Sequence, residues 1–275
     1  MNIPTEASPG DTVTMQRDET LTSVYLNRPV RLDILLPPGY RPDQQRYPVL
    51  YLNDGQDLDR LRMKPVLDSL YASGGIRPFV LVAIHCGDRI QEYGTAARPD
   101  YMNRGSKAAD YARFVEKELL PHVQRHWHVS SNPDESAFAG FSLGGLSAFD
   151  LVWNHPELFR RAGAFSGSFW WRSKAFDKAY TDNDRIMQQL VREGKRRPGL
   201  RFWLQTGTLD ETDDRDNDGV IDSIDDTLDL IAELERKGYR WGKEVRYVEV
   251  KGGHHNPETW GAVMPDFLLW AFGAK

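Results

Sequence analysis

Gly140-Phe141-Ser142-Leu143-Gly144 is the stretch of this chain that decides the fold. It follows a short apolar run, Ser136–Gly140, and precedes a segment of helical character, Gly144–Asn154, that stops before Pro156. A G-x-S-x-G pattern at a strand-to-helix turn holds its serine in a strained backbone conformation, and its glycines remove side chains that would clash there. The turn lifts the hydroxyl above a sheet edge at a helix N-terminus, where a backbone N–H can stabilise an oxyanion. The stretch therefore predicts a nucleophilic serine, Ser142.

Strands and helices are predicted to alternate along the rest of the chain. The predicted strands are Thr12–Leu26, Arg28–Leu36, Tyr47–Leu52, Pro78–Ile84, Ser136–Gly140, Ala162–Ser166, Arg201–Gln205 and Glu244–Val250. The predicted helices are Ala108–His122, which we expect Pro121 to end, Gly144–Asn154, Thr227–Lys237 and Glu258–Phe272. This alternation predicts one domain, residues 1–275, of the α/β class. We expect an α/β-hydrolase fold, with a mostly parallel central sheet and helices on both faces.

Composition bounds the class of protein further. The chain has 275 residues, of which 40% are hydrophobic, as expected for a globular protein with a sizeable core. The longest aliphatic run, Phe79–Ile84, is far shorter than the roughly 18 apolar residues of a membrane-spanning helix. The single cysteine, Cys86, excludes an internal disulfide and a cysteine-based zinc cluster, and the net charge of −5 argues against nucleic-acid binding. Met1–Glu6 lack the pattern of a secretory signal, which favours the cytoplasm unless a signal was removed.

The histidines downstream of Ser142 are candidates for a general base. A serine hydroxyl is a weak nucleophile until an imidazole accepts its proton, and a carboxylate must orient that imidazole. In α/β-hydrolases these groups follow in the order Ser, Asp or Glu, His. His254 and His255 follow the strand Glu244–Val250 on a glycine-rich loop, whereas His155 belongs to the end of the helix after the serine. Either residue of the pair fits the base.

The expected carboxylate lies between the serine and the histidine pair. The segment Gly207-Thr208-Leu209-Asp210 leaves the strand Arg201–Gln205 at the position expected for this group. Asp210 is the predicted acid of the triad, and Glu211 is its competitor.

Two backbone N–H groups are predicted to hold the oxyanion. The first belongs to Leu143, directly after the nucleophile. The second comes from the loop after the strand Tyr47–Leu52, where we favour Gln56 over Gly55.

Trp170 and Trp171 follow the strand that ends at Ser166. At the carboxyl end of a parallel strand they are placed to line a substrate pocket. A buried aromatic corner is the alternative for each of them.

An acidic segment follows Asp210. From Asp210 to Asp229 the chain has ten acidic residues and one basic residue, a local charge of −9. An insert at about residues 211–226 contains a pattern typical of a calcium loop. Its predicted ligands are Asp214, Asp216, Asp218, Val220 through its carbonyl, Asp222 and Asp225. We expect a structural Ca²⁺ that neutralises the segment and holds the Asp210 loop, and no organic cofactor; a solvated acidic hairpin is the alternative.

The chain also resembles a known family, the esterases of α/β-hydrolase fold that include the enterochelin (ferric-siderophore) esterases. The segments that carry the resemblance are Tyr51–Gln56, Ala139–Leu146, Pro156–Phe159, Ser166–Trp171 and Gly253–Trp260. In such enzymes the catalytic histidine stands five residues before a tryptophan, which implies His255 before Trp260. The family's acid follows a Gly-x-x-Asp/Glu pattern, which implies Asp210.

These observations together predict a serine carboxylesterase that acts on a small-molecule ester through an acyl-enzyme. Ser142 is the nucleophile, His255 the base and Asp210 the group that orients it. Two other functions are the alternatives. An acyltransferase would pass the acyl group to an alcohol, and a catalytically inactive fold would serve as a calcium-dependent binding module. The sequence predicts neither the natural ester nor the oligomeric state.

Overall fold

The computed structural model describes residues 12–274 of the chain. The prediction about a secretory signal in Met1–Glu6 falls outside these residues. No helix within the described range is both long and apolar enough to cross a membrane.

All eight predicted strands are present, with shifted ends. They are β1 Thr14–Ser23, β2 Arg28–Leu36, β3 Val49–Asn53, β4 Val80–Ile84, β5 Ser136–Phe141, β6 Arg161–Phe165, β7 Arg201–Leu209 and β8 Val245–His254. The largest differences are at β7 and β8, which each run four residues further than predicted. These extensions bring the ends of the two strands directly to the candidate acid and base.

The eight strands form one sheet in the order β1-β2-β4-β3-β5-β6-β7-β8. Pairing is parallel from β4 through β8, while β2 pairs antiparallel with β1 and with β4. The inner strands β3, β4 and β5 are buried along their whole length, as parallel strands covered on both faces must be. The predicted α/β-hydrolase fold is confirmed.

Eight α-helices accompany these strands in residues 12–274. They are α1 Met63–Ala72, α2 Arg89–Glu92, α3 Ala108–Phe114, α4 Leu120–His126, α5 Leu143–Asn154, α6 Ile186–Glu193, α7 Asp222–Arg236 and α8 Pro257–Phe272. The prediction that Pro121 ends a helix is wrong, because a π-helical turn over Val115–Leu119 joins α3 to α4 and the helix continues to His126. At this turn the Leu120 N–H bonds to the Val115 carbonyl, five residues back, so the hydrogen-bond register of the helix changes directly before Pro121, which has no N–H to donate.

The core has two parts, one on each face of the sheet. Along β3, Leu50 and Leu52 point into one part, where they meet residues of α1 and α8. Val49 and Tyr51 point into the other, which contains residues of α3 to α7. This alternation follows from the two-residue period of a strand. Because the two parts of the core cover both faces of the sheet, the carboxyl edge of the parallel strands is the place left for functional side chains.

Candidate active site

Ser142 occupies the sharp turn between β5 and α5. Its backbone angles are φ 55° and ψ −122°, which are unusual for a residue with a side chain. A Cβ at Gly140 would lie 2.3 Å from the carbonyl oxygen of Gly144, so this position requires glycine. The Ser142 N–H donates to the Phe165 carbonyl on β6 at 2.9 Å. The strained turn predicted from the G-x-S-x-G pattern is therefore present.

The hydroxyl of Ser142 is half-buried and contacts a second serine. The Oγ atoms of Ser142 and Ser168 lie 3.3 Å apart, and the Ser168 N–H donates to the Ser142 carbonyl at 3.1 Å. Sequence reasoning did not assign a role to Ser168. It lies in the loop after β6, and only the packing of that loop brings it to the nucleophile.

Asp210 and His255 directly follow two neighbouring strands. β7 and β8 are parallel neighbours, and Leu209 of β7 pairs with His254 of β8. Asp210 and His255 therefore follow paired residues at the same edge of the sheet. The Oδ2 atom of Asp210 accepts the Gly207 N–H at 2.9 Å, while its Oδ1 atom is buried and has no hydrogen bond within the described residues. A buried carboxylate oxygen without a partner is available to a donor such as an imidazole N–H.

A series of ring contacts connects His255 to the nucleophile. The His255 ring lies edge-on to Trp260 with 5.2 Å between ring centroids, and Trp260 stacks on Phe141 at 5.0 Å. Phe141 directly precedes Ser142. Within residues 12–274 the His255 ring makes no hydrogen bond. Catalytic hydrogen bonds are often long in the free enzyme and tighten once substrate is bound.

The pKa of His255 is lowered from its ordinary value of 6.5. Desolvation of the ring is the largest cause and the positive charge of Arg89 adds to it, whereas the negative charge of Asp210 opposes both. Because a lowered pKa keeps the imidazole neutral near pH 7, His255 is in the protonation state that a general base requires.

The two competing residues have different surroundings. Burial, with smaller contributions from Asp222 and other nearby carboxylates, raises the pKa of Glu211 to about 7, so this side chain is substantially protonated at neutral pH. His254 is the last residue of β8 and is exposed, and its N–H donates to Thr259 Oγ1 at 2.9 Å. His254 pairs with Leu209 within the sheet, and Glu211 lies one residue further from the end of β7 than Asp210 does.

The two predicted oxyanion donors lie on either side of the nucleophile loop. Leu143 is the first residue of α5, and Gln56 lies in a 3₁₀ turn, Gly55–Asp57, directly after β3. Neither the Leu143 N–H nor the Gln56 N–H donates a hydrogen bond within the described part of the chain. A Cβ at Gly55 would lie 2.8 Å from the backbone of Ala83, so glycine allows this turn to pack against β4.

Buried polar contacts fix the Gln56 loop to the nucleophile turn. Asn53 Nδ2 donates to the Gly144 carbonyl at 2.9 Å. Arg89 binds both oxygens of the buried Asp54 carboxylate at 2.9 Å and also donates to the Phe141 carbonyl at 3.1 Å. Sequence reasoning named these loop residues only as part of a turn. These contacts join the loop of Gln56 and the turn before Leu143 into one hydrogen-bonded unit.

Trp170 and Trp171 differ in their surroundings. Trp170 is half-buried and lines a cavity of about 340 Å³ together with Arg172, Tyr180 and Arg215. Trp171 is 0% exposed, so it belongs to the core. This burial fits the alternative of a buried aromatic corner for Trp171, which does not line the cavity beside Trp170.

Part of the acidic insert forms a compact carboxylate cluster. One oxygen from each of Asp214, Asp216 and Asp218 can be grouped within 4.8 Å of the others. The Gly219 N–H donates to Asp214 at 3.0 Å, and Gly219 has a φ of 92° that favours glycine. The predicted turn at this glycine is therefore present.

The remaining predicted ligands lie at the start of α7, which begins five residues earlier than expected. Asp222 is its first residue, and its carboxylate accepts the Arg215 N–H at 2.9 Å. Asp225 lies in the same helical turn, where desolvation and the charges of Asp218 and Asp216 raise its pKa to about 6. Asp222 is thus held by Arg215, whereas Asp225 lies within reach of the negative charges of Asp216 and Asp218. The Val220 N–H donates to Asp218 at 2.8 Å.

The fold and the grouping of a strained serine, a carboxylate and a histidine at one sheet edge define an α/β-hydrolase. Residues 23–271 match the family described as "Putative esterase", and the chain belongs to this family. It is a carboxylic ester hydrolase, and the family resemblance inferred from the sequence is confirmed.

Several relatives are similar in sequence. The uncharacterized protein YbbA of Bacillus subtilis (strain 168) is 26% identical over 247 residues, which cover 88% of this chain and 92% of YbbA. An iron(III) enterobactin esterase of Dickeya dadantii (strain 3937) is 33% identical over 89 residues, 32% of this chain and 20% of that protein. An endo-1,4-β-xylanase/feruloyl esterase of Xylanibacter ruminicola is 26% identical over 145 residues, 49% of this chain and 19% of that protein.

Solved structures share the fold. A ferulic acid esterase superposes with a TM-score of 0.72 at 19% identity, covering 95% of this chain and 98% of its own. The enterochelin esterase of Shigella flexneri gives a TM-score of 0.72 at 25% identity, covering 93% of this chain and 58% of its own.

Proposed function

We propose that this esterase hydrolyses small-molecule esters through a Ser142–His255–Asp210 triad and a covalent acyl-enzyme. The observation that carries the proposal is the register of β7 and β8, which pairs Leu209 with His254, the residues directly before Asp210 and His255. The ring contacts from His255 through Trp260 to Phe141 support it. The lowered pKa of His255 supports the role of base.

In the proposed reaction the Ser142 Oγ attacks the ester carbonyl carbon and its proton passes to His255. The carbonyl electrons move to the oxygen, which accepts hydrogen bonds from the Leu143 and Gln56 N–H groups. His255 then protonates the leaving alcohol as the C–O bond breaks. Water activated by His255 attacks the acyl-enzyme, and Ser142 regains its proton when the acid leaves. Asp210 holds the imidazole in the required tautomer throughout.

The substrate class is proposed from the cavity beside Trp170. Its aromatic wall, formed with Phe176 and Tyr180, suits an aromatic acyl or alcohol group. Arg172 and Arg215 share the cavity with three carboxylates, Asp213, Asp214 and Asp222, so the lining suits hydroxyl substituents on that group, which both donate and accept hydrogen bonds. The names of the ferulic acid esterase and enterobactin esterase relatives are consistent with such a group. Aromatic esters are therefore the first probes to try.

A fluorophosphonate probe tests the proposed nucleophile. We expect it to label Ser142, as located by peptide mass analysis, and to abolish hydrolysis of a panel of feruloyl, dihydroxybenzoyl, sugar and p-nitrophenyl esters. Hydrolysis in the presence of added alcohols separates esterase from acyltransferase activity by the ratio of acid to new ester. Labelling of a different residue contradicts the proposed triad, and a protein that neither labels nor hydrolyses any ester would be an inactive binding module.

We propose in addition that the loop Asp214–Asp225 binds Ca²⁺. Carboxylate oxygens are the ligands that this cation prefers, and the Asp214, Asp216 and Asp218 oxygens are close enough to share one ion. Asp225 has the shorter side chain of aspartate where such loops usually have glutamate. The proposed role is structural, because Ca²⁺ would reduce repulsion among the carboxylates in the segment that follows Asp210.

Removal of Ca²⁺ is expected to lower the melting temperature. Binding to the folded state at about 100 times Kd stabilises by about 2.7 kcal/mol, which corresponds to a shift on the order of 5–10 °C. The measurement is a melting curve after dialysis against a chelator, with and without added Ca²⁺. The variant Asp216→Asn should lose the calcium response, while Asp213→Asn, which makes the same charge change outside the cluster, should keep it. A melting curve that Ca²⁺ does not change would contradict the proposal.

A further inference from the structure

Ser168 is hydrogen-bonded to the side chain of Ser142 and has no part in the proposed triad. Its side chain is buried, with 2% exposed, and its Oγ lies 3.3 Å from the Ser142 Oγ. Within the described residues, Ser142 is the one hydrogen-bond partner of the Ser168 hydroxyl. Because buried hydroxyl groups are normally hydrogen-bonded, this contact accounts for the position of the Ser168 side chain.

The loop that carries Ser168 is held in place on both sides. Ser166 has a φ of 46°, and its Oγ accepts the indole N–H of the buried Trp260 at 2.9 Å. The Ser168 N–H donates to the Ser142 carbonyl, and the Ser168 carbonyl accepts the Trp171 N–H at 3.2 Å. The Oγ of Ser168 is therefore presented to the nucleophile by a fixed backbone.

The direction of the hydrogen bond follows from the chemistry of the proposed triad. Ser142 must give its own proton to His255 when it attacks the ester. During that step the Ser142 Oγ can only accept a hydrogen bond from Ser168. The Ser168 hydroxyl keeps its proton and is the donor.

We infer that Ser168 is a positioning residue that donates a hydrogen bond to the Ser142 Oγ. It orients the nucleophile and stabilises the negative charge that develops on this oxygen as its proton leaves for His255. The Oγ–H bond of Ser142 breaks, the Oγ–carbon bond forms, and the carbonyl electrons move to the oxygen bound by the two N–H groups. This inference rests on the proposed function, because it requires Ser142 to be the nucleophile.

Removal of the hydroxyl is expected to affect kcat. In Ser168→Ala, kcat for a p-nitrophenyl ester should fall roughly 10- to 100-fold, as for loss of one hydrogen bond to a developing charge, with KM within a factor of about two. A merely structural role would raise KM or lower the melting temperature without this selective loss of kcat. The rate of fluorophosphonate labelling of Ser142 should fall by a similar factor.

A matched pair of variants separates the effect of the Ser168 hydroxyl from the effect of side-chain shape. Threonine keeps the hydroxyl and valine has nearly the same shape without it, so any crowding in this buried position affects both. We expect Ser168→Thr to keep a kcat at least about tenfold above that of Ser168→Val. Equal kcat values for the pair, or a Ser168→Ala variant with unchanged kcat, would overturn the inference.

Assaying Ser142→Ala in parallel shows whether a failed prediction concerns the role of Ser168 alone or the proposed triad. If Ser142→Ala is inactive and the Ser168 variants match the unmodified protein, only the role of Ser168 is wrong. If Ser142→Ala keeps its activity, the proposed triad is wrong and the role of Ser168 fails with it.

Discussion

The Ser142→Ala variant is expected to lose at least about three orders of magnitude in kcat on a p-nitrophenyl ester. The methyl group cannot form the acyl-enzyme, so only binding and the Leu143 and Gln56 N–H groups remain to assist direct attack by water. The fold should be unaffected, because Ser142 is half-buried and its Oγ makes a single hydrogen bond, to Ser168, within the described residues. The measurement is steady-state hydrolysis, with melting curves to confirm folding.

Ser73→Ala provides the matched control. Ser73 is an exposed serine after α1, and its Oγ donates to the Leu70 carbonyl at 3.0 Å, so the same chemical change is made away from the sheet edge. It should keep full turnover. If Ser142→Ala behaved like Ser73→Ala, the nucleophile would have to be sought elsewhere.

The central sheet could be predicted because its signal is local. Runs such as Tyr47–Leu52 are apolar throughout, and the burial of β3 on both faces explains why. The ends of strands are set by their partners, which is why β7 continues to Leu209 beside β8. The continuation of a helix through Pro121 was not predictable from local rules. It depends on the preceding π-helical turn, which changes the hydrogen-bond register of the helix just before the proline.

The order of Ser142, Asp210 and His255 was informative because parallel strands end at one edge of a sheet. Knowing which strands are neighbours is then enough to predict that residues far apart in the sequence lie at the same edge of the sheet. The role of Arg89 was not predictable, since it depends on a side chain from α2 reaching both Asp54 and the Phe141 carbonyl. Likewise, Trp170 and Trp171 are adjacent in sequence, and only packing decides which of them is buried.

Asp210→Asn is expected to lower kcat by roughly 10³- to 10⁴-fold. In the proposed triad the Asp210 carboxylate accepts the imidazole N–H and stabilises the imidazolium that would form when His255 takes the serine proton. An amide provides no negative charge and can favour the wrong tautomer. The charge of Asp210 raises the pKa of His255 against the effects of desolvation and Arg89, so its loss lowers that pKa further. The residual kcat/KM should therefore reach its plateau at a lower pH than in the unmodified protein.

Glu211→Gln distinguishes the predicted acid from its neighbour. Desolvation, with smaller contributions from Asp222 and other nearby carboxylates, raises the pKa of Glu211 to about 7, so near neutral pH the side chain is partly in its uncharged form, which glutamine closely resembles. We expect this variant to keep kcat within a factor of about three, far from the loss expected for Asp210→Asn. The reverse result, with Asp210→Asn active and Glu211→Gln inactive, would assign the acid to Glu211. It would also mean that the register of Leu209 with His254 does not decide which carboxylate orients the base.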